Sequence, residues 1–135
     1  MKKSKLRFWL IFDLLWLALI FGHSCMPATV SRAESGGLLA VVQTVLPWMS
    51  HTLLRKLGHI TEYAILGVGL TGLFSNKKGY ALHRPVAAGL FAALCDETIQ
   101  LFVAGRSGEV RDIWIDLAGL LLGALLLRLV YRIRK

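Results

Sequence analysis

The chain has 135 residues, with 16 Lys+Arg against 8 Asp+Glu for a net charge of +8, and is 56% hydrophobic. That length allows one compact domain, residues 1–135, and the pI near 10.0 would on its own suit a nucleic-acid binder. A mean hydropathy of +0.60 with only 18% charged residues argues instead for a membrane protein, and against a soluble nucleotide enzyme or a disordered chain. The two cysteines, Cys25 and Cys95, are far apart, lack metal-type spacing and are read as free thiols rather than a disulfide staple.

Crossing a bilayer as a helix takes roughly 20 mostly apolar residues, and the sequence offers this at about 8–26, 54–74, 85–103 and 113–130. The first stretch follows Lys2, Lys3, Lys5 and Arg7 and holds Asp13 within it. A cleavable leader is its rival, with Ser31-Arg32-Ala33 as the cut site; apolar length up to Met26 favours a retained helix. Ser31 to Gly37 reads as an exposed turn. Leu38 to Trp48 is too apolar for a loop and reads as a short interfacial helix anchored by Trp48, or as a hydrophobic lid over the bundle. The second stretch opens with Arg55-Lys56 and the third with Pro85, a residue that needs no N–H at a helix start. The fourth begins after Asp112 and ends among basic residues.

Basic residues lie before the first stretch, between the second and third (Lys77, Lys78, Arg84) and at the end (Arg128, Arg132, Arg134, Lys135). The positive-inside rule puts these regions in the cytoplasm, and the terminal cations there suit anionic headgroups. The expectation is an all-α integral membrane four-helix bundle, multi-pass in a plasma membrane, with both termini cytoplasmic. The basic pI then follows from topology and needs no nucleic acid. His23 and His51 fall to the outer loops and His83 to the cytoplasmic side.

On this topology Arg55, His59 and Glu62 share one helical stripe by their spacing of four and three. Asp96, Glu97 and Gln100 lie near the end of the third helix, Arg106 in the following loop, and Asp112 and Asp116 at the start of the fourth. In an up-down bundle these helix ends meet at the outer surface. Ionisable groups in hydrocarbon cost roughly 2.5–3.5 kcal/mol each on insertion scales and should face inward and pair. Arg55, Lys56 and Arg106 suit an anionic ligand, while His59, Glu62, Asp96, Glu97, Asp112 and Asp116 are types that move protons. The alternative for the same set is a structural network that locks the helix ends together, and the functional site is preferred. His59 with neighbouring acids offers ligands to a hard divalent ion, but the His-Glu-x-x-His helix of zinc proteases is absent and one histidine lies in the cluster, so no metal and no cofactor is expected. Gly119 and Gly123, four apart on an apolar helix, read as a close helix contact within the chain.

Three blocks carry a resemblance: Arg55-Lys56-x-x-His59-x-x-Glu62-Tyr63-x-x-Leu66-Gly67, Asp96-Glu97-x-x-Gln100, and Gly105-Arg106 leading to Asp112-x-x-x-Asp116-x-x-Gly119-x-x-x-Gly123. In order and spacing, over about Leu54 to Val130, the chain resembles the VanZ-like family of bacterial membrane proteins. Asp116 departs from the Asn often found there and adds a carboxylate. The resemblance implies a bacterial cell membrane and a part in tolerance of teicoplanin, a lipoglycopeptide that binds cell-wall precursors. The reading preferred here is an outward-facing pocket that recognises or modifies an anionic cell-envelope lipid or lipid-linked cell-wall precursor. A non-catalytic protein with a structural or partner-binding network is the alternative, and a proton- or ion-coupled carrier the third.

Overall fold

The computed structural model describes residues 3–75 and 81–133. Lys2, Lys77, Lys78, Arg134 and Lys135, all used above to orient the chain, lie outside the described residues. The described chain forms five helices and no strand: α1 (Lys3–Ser24), α2 (Ala28–Gln43), α3 (His51–Phe74), α4 (His83–Leu101) and α5 (Val110–Ile133). The all-α expectation holds; the four-helix bundle expected, with a short helix between its first two members, is found as five helices in which the intervening one, α2, starts earlier and runs 16 residues.

The extra helix replaces the turn expected at Ser31 to Gly37. Pro27 enters it with φ −54° and ψ 147°, a conformation proline already favours before a helix. Ser35 then donates its hydroxyl back to the Ser31 carbonyl at 2.6 Å. That bond satisfies the hydroxyl within the helix, and the Ser-Gly-Gly run remains helical despite its weak propensity. The apolar stretch expected to be helical at 38–48 is so only to Gln43; Leu46, Pro47 and Trp48 form the linker to α3. Ser50 caps α3 by accepting the Leu53 N–H at 3.1 Å. Pro85 lies in the first turn of α4, where its missing N–H is harmless.

Among the described residues α1, α3 and α5 are long and apolar enough to cross a membrane. The expected third span, α4, has 19 residues but carries Arg84, Asp96 and Glu97, and on composition it falls outside that set. Large apolar side chains such as Phe8, Leu15, Phe91 and Trp114 are exposed around the periphery. The core is small: Ile20, Tyr63, Leu66, Leu70, Ala92, Ala93 and Leu120, with Trp16, Phe21 and Leu117 packed against it.

The main packing seam joins α3 and α5, which run parallel. A Cβ on Gly123 would overlap the Ala64 carbonyl, one on Gly119 the Ile60 carbonyl, and one on Gly67 the Leu120 carbonyl. The two backbones therefore touch, as the four-residue glycine spacing predicts, and the contact is within the chain. α1 runs antiparallel to α3, with Asp13 against Gly69 and Trp9 against Gly72. α4 runs antiparallel to both α3 and α5, its Gly89 against Leu120.

Candidate functional site

These directions bring the end of α1, the start of α3, the end of α4 and the start of α5 to one end of the molecule. Parallel α3 and α5 in backbone contact match their four-residue spacings rung for rung. On one rung Arg55 Nη2 lies 3.4 Å from Asp112 Oδ2. On the next, His59 Nδ1 lies 2.9 Å from Asp116 Oδ1. Asp112 and Asp116 are 1% and 0% exposed, so bulk water does not solvate them and their charge must be balanced inside the protein.

α4 closes the cluster from the other side. Asp96 accepts hydrogen bonds from the Ser24 hydroxyl at the end of α1 and from Gln100 Nε2, the latter at 3.3 Å. Glu97 Oε2 accepts the Glu109 N–H at 2.7 Å, which ties the α4–α5 loop to α4. Arg106, in that loop, donates from Nε to the Met26 carbonyl at 2.9 Å and from Nη2 to the His23 carbonyl at 3.0 Å. It thereby satisfies carbonyls at and just past the end of α1, where a cation also complements the helix dipole. Burial lowers the Arg106 pKa from its ordinary value, yet a guanidinium stays charged.

Several buried polar atoms have no hydrogen-bond partner among the described residues: Glu97 Oε1, Asp112 Oδ1, Asp116 Oδ2 and the hydroxyl of Tyr63, one turn along α3 from His59. A cavity of about 560 Å³ opens beside the cluster, between α1, α2 and α3. Apolar side chains such as Trp16, Leu38 and Leu54 line much of it, and its wall also carries Arg55, Arg106, Glu34, Glu62 and the imidazoles of His23, His51 and His59. Glu62 is held in place there: its Oε1 lies 3.3 Å from His23 Nδ1, and its carbonyl accepts the Trp16 indole N–H at 2.8 Å. α2 forms the roof. Ser35 on α2 meets His51 Nε2 at 2.8 Å, and the Ala28 N–H donates to the Ala104 carbonyl at 3.1 Å.

The family model described as VanZ/LLP1 matches residues 9–131. The chain belongs to the VanZ/LLP1 family. No curated protein and no solved structure matches it. Family membership and the span-like helices together make it a VanZ-like membrane protein.

Within this VanZ/LLP1 chain the residues singled out from sequence divide into two groups. Arg55, His59, Glu62 and Arg106 face the cavity. Asp96, Glu97, Gln100, Asp112 and Asp116 are buried and do not line it. Lys56 is half-buried, lies off the cavity wall and forms no ion pair among the described residues. Sequence reasoning missed Trp16, His23, Ser24, Ser35 and His51. His23 and His51, expected in loops, are helical and bond Glu62 and Ser35. Their signal was present: His23-Ser24 breaks an apolar run at the end where the other polar residues gather.

Proposed function

We propose that this VanZ-like protein binds an anionic cell-envelope lipid, or a lipid-linked cell-wall precursor, in the cavity beneath α2. The observation that carries the reading is the cavity itself, a largely apolar chamber whose wall holds Arg55, Arg106, His59 and Glu62. An apolar chamber with a few convergent polar groups is the usual form of a small-molecule site. In this reading α4 crosses the membrane with α1, α3 and α5, its acids facing inward, and both termini are cytoplasmic. The cavity then opens outward, Arg55 and Arg106 attract the headgroup, and His59 or Glu62 polarises it or moves a proton. A contribution to glycopeptide tolerance accords with the family.

A second reading has its own support. Arg55 and Arg106 already have partners, Asp112 and two α1 carbonyls, as a purely structural network would require.

Gly58 separates the two. It lines the cavity, and a Cβ there would meet no atom within 4 Å. Gly58→Phe should therefore fill the chamber without disturbing the fold. Titration of the purified protein in detergent with a short-chain polyprenyl pyrophosphate should show saturable binding that this variant abolishes, with unchanged thermal unfolding. Glu62→Gln should lower glycopeptide tolerance in cells while the melting temperature holds. No saturable binding by the unmodified protein, together with full tolerance in Gly58→Phe, would leave the structural reading standing.

A further inference from the structure

Behind the cavity wall, His59 from α3, Asp96 and Glu97 from α4, and Asp116 from α5 each present one ligand-type atom, and these atoms all lie within 4.8 Å of one another. All four residues are buried, with 8%, 1%, 5% and 0% exposed. We propose that these four side chains form a binding site for a divalent metal ion of the Mn²⁺ type. The inference rests on this geometry and not on the identity of the cavity's ligand, although His59 belongs to both the cluster and the cavity wall.

Charge balance supports it. Three carboxylates converge here, and among the described residues the only cationic side chain within ion-pair distance of any of them is His59, beside Asp116. The nearby guanidiniums are committed elsewhere, Arg55 to Asp112 and Arg106 to backbone carbonyls. Buried carboxylates without compensating charge are costly, and a divalent ion held between these atoms would supply that charge.

The free acceptors are an independent sign. Asp116 Oδ2 and Glu97 Oε1 have no hydrogen-bond partner among the described residues, although both side chains are more than nine-tenths buried. Buried carboxylate oxygens normally find donors, so orphaned oxygens beside a convergent ligand set point to a cation. The remaining oxygens are positioned as ligand supports usually are: Glu97 by the Glu109 N–H, and Asp96 by Ser24 and Gln100. Carboxylates suit Mg²⁺, Ca²⁺ and Mn²⁺, and an imidazole tilts the set toward Mn²⁺ over the purely oxygen-seeking ions. The expectation of no metal rested on the single histidine in the cluster and on a His59-x-x-Glu62 pairing helped by acids from neighbouring helices. The fold supplies the other ligands from two further helices, and Glu62 is not among them.

The test uses the full chain in detergent, purified without a polyhistidine tag and stripped of metal with chelator. Titration with MnCl₂, followed by the electron paramagnetic resonance signal of free Mn²⁺, should show one saturable site per chain. Asp116→Asn and Glu97→Gln should each weaken it by roughly tenfold or more, since even outer-shell losses reach that scale. Glu34→Gln, on the cavity wall and outside the four-residue cluster, should leave Mn²⁺ binding unaltered. Should the cluster variants not fold, the spectrum still decides. Bound Mn²⁺ should show electron spin echo modulation from an imidazole ¹⁴N, retained when His23, His51 and His83 are all Gln and His59 is the one histidine left. Absence of saturable binding, absence of the nitrogen coupling, or unchanged affinity in both folded carboxylate variants would overturn the site. Polyprenyl pyrophosphate binding and its loss in Gly58→Phe are read separately, so failure of one proposal is not failure of the other.

Discussion

Along the seam between α3 and α5 the two backbones touch, whereas α2 has no fully buried residue and is tied to its neighbours by contacts such as Ser35 with His51 and the Ala28 N–H with the Ala104 carbonyl. The seam holds its side chains in register, because close backbones leave no room for either helix to slide. That register is what aligns Arg55 with Asp112 and His59 with Asp116. The roof over the cavity is joined by bonds such as Ser35 to His51, with no packed core beneath it. The contrast bears on the proposed function: if the cavity takes a ligand, the tightly held cluster stays fixed while the sparsely packed α2 is the element free to give way.

The strongest way to break this contrast is to force the seam apart. Gly123→Val would drive side-chain atoms into the Ala64 backbone, where neither partner can give way. Overpacking in a tight core costs about 1–3 kcal/mol and more against backbone, so the variant should accumulate poorly and lose its cooperative thermal transition. Normal unfolding of Gly123→Val would show that α3 and α5 are not in backbone contact.

Next in size is the second rung of that seam. His59→Ala removes the partner of Asp116 Oδ1, and Asp116 already has one oxygen unbonded. Loss of one member of a buried pair costs about 3–5 kcal/mol in water-soluble proteins, while membrane hydrogen-bond pairs average only about 0.6 kcal/mol. A value of about 2 kcal/mol or more in detergent unfolding would place this pair with the costly buried ions. Unfolding free energies for His59→Ala, Asp116→Ala and the double variant would give the coupling.

The parts of the protein legible in sequence were those set by local pattern. The apolar runs located α1, α3 and α5, and the i, i+4 spacings of Arg55 with His59 and Asp112 with Asp116 foretold facing rows. The glycines at 119 and 123 announced the seam itself. What stayed hidden depended on tertiary placement. Ser31 to Gly37 looks like a turn until Ser35 bonds back along its own helix and roofs the cavity. Asp96 and Glu97 looked like cavity residues because their spacing gives a helix face, and spacing alone does not say which neighbour that face meets. Ser24 could not be paired with Asp96, 72 positions away, without knowing that α1 and α4 run parallel.

The smaller tests sharpen the other side of the comparison, at α2. Ser35→Ala removes the contact with His51 and the bond to the Ser31 carbonyl. Both are partly buried at best, so the loss should be about 1 kcal/mol or less, with a coupling to His51→Ala well below that of His59 with Asp116. Hydrogen exchange should show the amides of α2 opening sooner in Ser35→Ala, with the α3–α5 seam unchanged. Smallest of all, Gly36→Ala adds a Cβ that would meet nothing within 4 Å. Alanine is favoured over glycine inside a helix by about 0.5–1 kcal/mol, so this variant should slow exchange in α2 rather than hasten it. The opposite result would mean that the chain around Gly36 is not helical in the working protein, and that the roof is a loop of the kind its composition suggests. Slower exchange accompanied by weaker ligand binding would have a different meaning: α2 must then open for the cavity to fill, and its sparse packing is the property that lets it do so.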